Sequence, residues 1–284
     1  DRDRRAVCRP LLHVERMSFD TATAHGKAAP AGEGEIVIRV RGLTNRFGSK
    51  TVHEGLDLDV IKGEVLGVIG GSGTGKSVLM RSIVGLHTPN AGEVEVFGQN
   101  LNKLSRDERV KVERRWGVMF QDGALFSTMT VRENVMAPMV EHTKIPPALM
   151  SELADLKLRL AGLELEAAPK RPADLSGGMR KRAALARALS LDPELVFLDE
   201  PAAGLDPIGA AKFDELVRSL SNALGLTVFL VTHDLDTLAA TCDRIAVLSD
   251  GKVLAIGPLD EVRKNDNPWI QEYFSGPRGR AAVR

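Results

Sequence analysis

The sequence has no net charge, no long apolar run and only two cysteines. Its 38 lysine and arginine residues balance 38 aspartate and glutamate residues, so the chain has no global basic field of the kind that marks nucleic-acid-binding proteins. No apolar run approaches the roughly 18–20 residues of a membrane-spanning helix, which predicts that the chain does not itself cross a bilayer. Of the two cysteines, Cys8 and Cys242, the first lies in an arm that carries no pattern of a folded element, so we expect no structural disulfide and a reducing compartment.

The two ends of the sequence carry no pattern of a folded element. The chain does not begin with methionine and has no apolar core of a secretion signal. We interpret residues 1–16 as a leader ahead of a natural start at Met17, and the Thr/Ala/Gly/Pro-rich stretch up to Gly34 as disordered. A basic targeting arm is the alternative for this segment. Residues 276–284 are interpreted as a short basic tail.

Between residues 35 and 275, apolar strands alternate with helical patterns. Strands are predicted at 36–41, 51–61, 65–69, 93–97, 117–120, 195–198, 227–232, 244–248 and 253–256. A turn is predicted at 45–48, and the pattern from about 122 to 176 is that of a separate helical subdomain. The polar residues of interest mostly follow the carboxyl ends of strands. This arrangement is typical of an open parallel α/β sheet, in which ligands gather at that edge.

One glycine-rich stretch joins an apolar strand to a helix. It consists of Gly70, Gly71, Ser72, Gly73, Thr74, Gly75, Lys76 and Ser77. Strand, G-x-x-x-x-G-K-S and helix form the context of a phosphate-binding loop, in which backbone N–H groups and the helix N-terminus face one anion. Lys76 is predicted to reach the β- and γ-phosphates, and Ser77 to ligate Mg²⁺. A plain glycine-rich turn is the structural alternative.

Two adjacent carboxylates, Asp199 and Glu200, follow a strand too apolar to be exposed. Carboxylates at the mouth of a buried strand are costly unless a cation or water network offsets them. Beside a phosphate loop, Asp199 is predicted to hold Mg²⁺, and Glu200 to orient or deprotonate a water for attack on the γ-phosphate. An acidic turn at the end of a strand is the alternative.

A second site for an anion is predicted where Ser176, Gly177, Gly178 and Met179 open a helix. Arg180, Lys181 and Arg182 lie in its first turns, where each cation is disfavoured by ~0.3–1 kcal/mol. The glycine pair also lowers helix propensity. Both features fit a helix end at which an anion docks. A nucleotide on the glycine-rich loop would then be enclosed from two sides, and another copy of the chain could contribute the second side. A solvated basic face is the alternative.

Three further residues are weaker candidates. His233 and Gln121 each end a strand, so the histidine is placed to reach a γ-phosphate, and the neutral amide to contact Mg²⁺ or water. Phe47 precedes the phosphate loop and is a candidate for stacking on an adenine ring. The alternatives are a packed or capping histidine and a core aromatic residue.

Together these runs resemble the ATP-binding subunits of ABC transporters over about residues 35–275. The motifs occur in that family's order: Gly70–Ser77 as Walker A, Gln121 as the Q-loop, Ser176–Met179 as the signature, Leu195–Glu200 as Walker B, Gly204–Asp206 as the D-loop and His233 as the switch histidine. The resemblance implies an α/β fold of the P-loop NTPase type. A RecA-like core, an antiparallel β-subdomain and an α-helical subdomain are its expected parts.

The resemblance also implies that two copies close head to tail, with ATP held between Walker A of one copy and the signature of the other. The implied catalytic residues are Lys76, Gln121, Glu200 and His233. The implied nucleotide contacts beyond Walker A are Phe47, Ser176, Gly177, Gly178 and Asp206. The implied Mg²⁺ ligands are Ser77, Gln121 and Asp199. Two membrane subunits are expected to dock near the Q-loop and the helical subdomain.

Finer features resemble the ATPases of bacterial Mla-type phospholipid transport systems. They lie at 120–126, 134–135, 138, 141–143, 182–188, 206–208 and 221–225, and Met179 in place of the usual glutamine fits the same group. Such systems move lipids between the inner and outer membranes of diderm bacteria. The resemblance implies a permease, a periplasmic lipid-binding protein and a small regulatory subunit as partners, with this chain peripheral to the cytoplasmic face of the inner membrane.

Two other functions share the catalytic motifs. The first is an ABC importer ATPase for a small polar solute. It would have the same catalytic motifs, and only the stretch from 121 to 143 and the other finer features above favour lipid. A soluble ABC ATPase of DNA repair or translation is disfavoured, because the chain has one set of motifs, no heptad run and no basic surplus.

Overall fold

Two β-sheets of different kinds organise residues 34–275, the part of the chain that this computed structural model describes. The strands are β1 (Ile36–Phe47), β2 (Lys50–Ile61), β3 (Val65–Ile69), β4 (Ala91–Val96), β5 (Gln99–Asn100), β6 (Trp116–Met119), β7 (Leu195–Asp199), β8 (Thr227–Val231), β9 (Arg244–Ser249) and β10 (Lys252–Gly257). A four-stranded sheet has the order β2-β1-β4-β5, and a six-stranded sheet has the order β10-β9-β3-β8-β7-β6. The smaller sheet is antiparallel throughout.

The larger sheet is parallel from β9 to β6, and only β10 runs antiparallel to its neighbour. Every residue of β3, β7 and β8 is buried, which explains their uninterrupted apolar sequences. Because these three strands are adjacent and parallel, their carboxyl ends lie side by side. The residues that follow them, the glycine-rich loop, Glu200 and His233, therefore meet at one edge of the sheet.

Nine α-helices alternate with these strands along residues 34–275 or follow them. They are α1 (Lys76–Ile83), α2 (Arg106–Glu113), α3 (Val131–His142), α4 (Pro147–Leu160), α5 (Gly177–Ala188), α6 (Pro207–Leu224), α7 (Leu235–Thr241), α8 (Leu259–Val262) and α9 (Pro268–Ser275). Helices α3 and α4 lie within the range of about 122–176 that is predicted as a helical subdomain, and both pack against α5, which follows that range. The core of the chain thus has the predicted three parts.

The structure corrects the predicted turn at 45–48. Residues 45 to 47 continue β1, and β2 runs unbroken through His53. Asn45 is fully buried, and its amide donates to His53 Nδ1 at 2.9 Å and to Ser82 Oγ at 3.0 Å. Asn45 is thus accommodated in the strand through its amide N–H bonds to β2 and to α1, and register shifts on both sides of Asn45 mark the local irregularity of β1.

Other sequence predictions fall at the margins of the described range. Among residues 34–275, no helix is both long and apolar enough to cross a membrane. The leader and disordered stretch predicted for 1–34 lie, apart from Gly34, outside the described residues, as do Cys8 and the basic tail at 276–284. The predicted boundaries of these segments stay predictions.

Asp214 lies buried between α6 and α7, with 4% of its surface exposed. Its carboxylate accepts a hydrogen bond from the Thr237 hydroxyl at 2.9 Å. Burial, reinforced by the negative charges of Asp234 and Asp236, raises the pKa of Asp214 from 3.8 to about 6. Because the folded state holds this proton more tightly than the unfolded chain does, the free energy of unfolding falls as the pH rises through the interval between those values.

Asp214→Asn is therefore expected to increase the free energy of unfolding at about pH 7.5, by up to about 3 kcal/mol. The amide cannot ionise, while its oxygen still accepts the hydrogen bond from Thr237. The gain should shrink as the pH falls through about 6 and vanish near 4. Denaturant titrations at several pH values measure it, with Glu215→Gln on the exposed face of α6 as the control. A gain independent of pH would contradict this assignment.

Candidate functional site

The glycine-rich loop curls between β3 and α1. Gly73 and Gly75 have φ values of 78° and 95°, in the region that side-chain-bearing residues seldom adopt. A Cβ added at Gly75 would lie 2.5 Å from both His53 Nε2 and Val52 Cγ1. A side chain at position 75 would be strained by the positive φ and would collide with Val52 and His53 on β2. Glycine is therefore required there for both reasons.

Lys76 folds back over this loop. Its Nζ donates to the carbonyl oxygens of Gly70 at 2.8 Å and Gly71 at 3.0 Å. Burial lowers the pKa of Lys76, and the carboxylates of Glu200 and Asp199 act in the opposite direction. The ammonium thus lies where the loop curls, in position to exchange carbonyl partners for phosphate oxygens.

Ser77 and Asp199 meet across the site. The Ser77 hydroxyl donates to Asp199 Oδ1 at 3.3 Å. Burial raises the pKa of Asp199, an effect that the bond from Ser77 partly offsets. Among residues 34–275, no group of three or more His, Cys, Asp or Glu residues is placed to hold a metal. A hydroxyl and one carboxylate without a protein cage fit Mg²⁺, which keeps several waters and shares phosphate oxygens.

Glu200 and His233 form a close pair at the ends of β7 and β8. His233 Nδ1 and Glu200 Oε1 are 2.8 Å apart, so the ring nitrogen donates to the carboxylate. The glutamate side chain is 14% exposed and the histidine 57%. The backbone of Glu200 has φ 49°, and its N–H donates to Val231 O at 2.8 Å. A side-chain-bearing residue in the left-handed region is strained, and here the strain accompanies a carboxylate aimed out of the sheet edge.

Gln121 lies two residues beyond β6, and its side chain is exposed. Its backbone carbonyl accepts a hydrogen bond from the Lys181 ammonium. The loop that follows is held by Asn134, whose side chain accepts from Phe126 N at 2.7 Å and donates to Phe126 O at 3.1 Å. The loop between β6 and α3 is therefore fixed through its backbone, while the Gln121 side chain stays open to solvent.

The predicted signature residues lie in a different cleft. Ser176 caps α5 and accepts a hydrogen bond from Met179 N at 3.3 Å. Ser176, Gly177 and Gly178 line a cleft of about 270 Å³ together with the residues from Gly204 to Asp206. No residue of the glycine-rich loop lines this cleft. The structure therefore gathers Lys76, Ser77, Asp199, Glu200 and His233, and leaves the signature apart from them.

Phe47 ends β1 rather than lying in a turn. Its ring stacks on His87, with centroids 4.9 Å apart and an interplanar angle of 23°. The residue is 48% exposed. A half-exposed ring supported on one face is available for stacking on its other face.

Sequence reasoning missed an aromatic pair on α9. Trp269 and Tyr273 stack with centroids 4.9 Å apart, and a Cβ added at Gly71 would lie 3.8 Å from Trp269 Cζ2. The Tyr273 hydroxyl donates to the backbone oxygen of His233 at 3.1 Å. The four-residue spacing of the pair is a sequence signal for one helical face. The placement of that face against the glycine-rich loop depends on tertiary packing alone.

Sequence reasoning also missed His53 beneath the loop. It is fully buried, and burial lowers its pKa from 6.5 to about 4. The ring is therefore neutral near pH 7. A neutral ring packs against Gly75 without adding a charge to the site.

The chain is similar in sequence to known ATP-binding subunits of transporters. The family model described as ABC transporter matches residues 53–203. The chain is 37% identical over 240 residues to the intermembrane phospholipid transport system ATP-binding protein MlaF of Haemophilus influenzae, covering 84% of this chain and 90% of that protein. It is also 37% identical over 255 residues to the probable ribonucleotide transport ATP-binding protein mkl of Mycobacterium leprae, covering 88% and 73%.

Solved structures agree with this comparison. The dimeric post-hydrolysis state of the ATP-binding cassette MJ0796, bound to ADP and Pi, matches with a TM-score of 0.72 and 31% identity, covering 78% of this chain and 98% of that one. The structure of cbiO1 from Clostridium perfringens, part of the ABC transporter complex cbiONQ, matches with a TM-score of 0.73 and 30% identity, covering 87% and 98%.

Proposed function

Because the chain belongs to the ABC transporter family and is therefore an ATP-binding ATPase subunit, we propose that it powers phospholipid transport between the inner and outer membranes of a diderm bacterium. The catalytic part rests on one observation, the meeting of Lys76, the Ser77–Asp199 pair and the Glu200–His233 pair at one sheet edge. The cargo rests on the similarity to MlaF over most of both chains and on the finer motifs of the sequence.

In the proposed reaction, the glycine-rich loop and the N-terminus of α1 bind the phosphates through backbone N–H groups. Lys76 moves from two carbonyl oxygens to phosphate oxygens. Ser77 and Asp199 would hold Mg²⁺, which supplies neutralisation of the charge that develops on the γ-phosphate. The half-exposed face of Phe47 is the proposed contact for adenine.

Glu200 is proposed as the general base that accepts a proton from the attacking water. His233 fixes the carboxylate by donating to Oε1, which leaves the other oxygen to face the water. Tyr273, bound to the His233 carbonyl, holds the loop on which this histidine lies. Gln121, with its exposed side chain, is proposed to contact Mg²⁺ or water from the other side.

A second copy of the chain is proposed to complete the site. The signature cleft, formed by Ser176 to Gly178 and by Asp206, lies apart from the glycine-rich loop of the same chain. Head-to-tail pairing places the signature of one copy over the loop of the other, where the helix N-terminus faces the γ-phosphate. The cassette MJ0796 is described as dimeric, which supports this proposal.

Permease subunits are proposed to dock near the loop between β6 and α3. Phe126 and Met129 on this loop, and Val140 on α3, are exposed large apolar side chains, of the kind enriched at interfaces. A permease docked there would keep the chain on the cytoplasmic face of the inner membrane. A periplasmic lipid-binding protein and a small regulatory subunit complete the proposed assembly.

Reconstitution tests the cargo. The chain is purified with its membrane subunits, placed in donor vesicles that contain a fluorescent phospholipid, and mixed with acceptor vesicles and ATP. We expect transfer that requires ATP and is lost in the Glu200→Gln variant. The similarity to the mkl protein, named for ribonucleotide transport, favours a polar solute as the second candidate. Uptake of a ribonucleotide without phospholipid transfer would replace the first proposal by the second.

A further inference from the structure

The ammonium of Lys181 is buried inside the chain. The sequence pattern groups this residue with Arg180 and Arg182 as cations that face an anion at the start of α5. In the structure, Lys181 is 8% exposed and its side chain points away from the signature cleft. Burial lowers its pKa, an effect that the carboxylates of Asp122, Glu200 and Asp199 oppose. A buried cation requires partners, and these partners identify its role.

The Lys181 ammonium donates hydrogen bonds to two backbone carbonyls. One is Gln121 O, on the loop after β6, and the other is Glu200 O, at 3.1 Å. The Glu200 N–H is bound to Val231 O at 2.8 Å. Lys181 and Val231 therefore hold the two ends of a residue whose φ of 49° is unfavourable for a side-chain-bearing residue.

We propose that Lys181 is a positioning residue that maintains the orientation of Glu200 for ATP hydrolysis. Without the ammonium, the Glu200 carbonyl keeps only the Ala203 N–H at 3.2 Å as a donor, and the strained backbone has one restraint fewer against relaxing toward ordinary φ values. The carboxylate would then turn away from His233 and from the water. The same ammonium also donates to the Gln121 carbonyl, so the test needs a variant that loosens this loop without releasing Glu200.

Arg187, two turns further along α5, offers a matched control. Its guanidinium donates to Gly123 O at 2.7 Å and to Ala124 O at 2.7 Å. It holds the same loop through backbone carbonyls and is a cation on the same helix, but it bonds to no atom of Glu200. Loss of Arg187 therefore reports what loosening the loop does without releasing Glu200.

The inference rests on the proposed role of Glu200, and its test measures kcat and KM for ATP in four variants. Lys181→Met is expected to lower kcat about 10- to 100-fold, the loss typical of one charge-assisted hydrogen bond, with KM for ATP nearly unchanged. Lys181→Gln, which keeps N–H donors for the carbonyls, should recover part of that loss. Arg187→Met should retain most of the activity. Glu200→Gln is measured in parallel.

The outcomes separate the two proposals. Near-normal kcat in Lys181→Met and Lys181→Gln, with turnover abolished in Glu200→Gln, would overturn the role of Lys181 and leave the catalytic site intact. The role of Lys181 would also be overturned if Lys181→Met and Arg187→Met lost the same factor in kcat and the same amount in melting temperature, because both residues would then act through stability. Normal turnover in Glu200→Gln would instead reject the proposed base. If Lys181→Met does not fold, Lys181→Gln and Arg187→Met decide the question. A kcat clearly lower in Lys181→Gln than in Arg187→Met, at a similar melting temperature, supports the role of Lys181, and equal kcat values overturn it.

Discussion

Replacement of Glu200 by glutamine is expected to lower the rate of ATP hydrolysis about 10²- to 10⁴-fold while ATP binding is retained. Glutamine has the shape of glutamate, and its amide oxygen still accepts the hydrogen bond from His233 Nδ1 that Glu200 Oε1 accepts at 2.8 Å. It cannot accept a proton from water. The loss therefore falls on the chemical step, and KM for ATP should change little.

The measurement combines steady-state phosphate release with equilibrium binding of a fluorescent ATP analogue. Glu215→Gln is the control, because it removes the same charge from an exposed position on α6 that lines the same cleft as Glu200. We expect the control to hydrolyse ATP normally. Near-normal turnover in Glu200→Gln would reject this residue as the general base.

Replacement of Lys76 by alanine is the second large effect, and it should weaken both binding and turnover. The ammonium that now contacts Gly70 O and Gly71 O supplies charge-assisted hydrogen bonds to phosphate when nucleotide is bound. Loss of one to two such bonds corresponds to an increase of about 10- to 100-fold in Kd for ATP. Turnover should fall to background, because charge on the γ-phosphate is then less well compensated.

Isothermal titration with ATP, with AMP in parallel, distinguishes this effect from general damage. The variant should lose affinity for ATP while the melting temperature stays close to that of the parent. Lys212→Ala, an exposed lysine on α6, is the matched control and should bind ATP normally. Unchanged ATP affinity in Lys76→Ala would count against the phosphate-binding role of the loop.

The sequence predicted those parts of the site that depend on local chemistry. A buried apolar strand, a glycine-rich turn and a helix are adjacent in the chain, so residues 65–83 could be interpreted without knowing the rest of the fold. Asp199 and Glu200 follow from the cost of carboxylates beside a buried strand. The meeting of these segments followed from one topological expectation, that parallel strands present their carboxyl ends together, and the observed strand order confirms it.

Features that depend on tertiary contacts could not be predicted. The sequence predicts a turn at Asn45, because nothing in its immediate neighbourhood shows that its partners are His53 on β2 and Ser82 on α1. The sequence likewise predicts that Lys181 faces an anion, since nothing in its neighbourhood shows that it turns toward the carbonyls of two other segments. In both cases a hydrogen bond to another segment, and not local propensity, sets the environment of the side chain.

Trp269, in the stacked pair on α9, is an intrinsic fluorophore beside the glycine-rich loop. The sequence contains two tryptophans. Trp116 lies in the core beside Phe197, while Trp269 lies against the glycine-rich loop at Gly71. A Trp116→Phe variant therefore leaves one tryptophan, at the edge of the site. We expect ATP to change its fluorescence, and the same chain with Lys76→Ala added to respond only at higher ATP concentrations. Occupancy of the loop can then be followed in real time without a label.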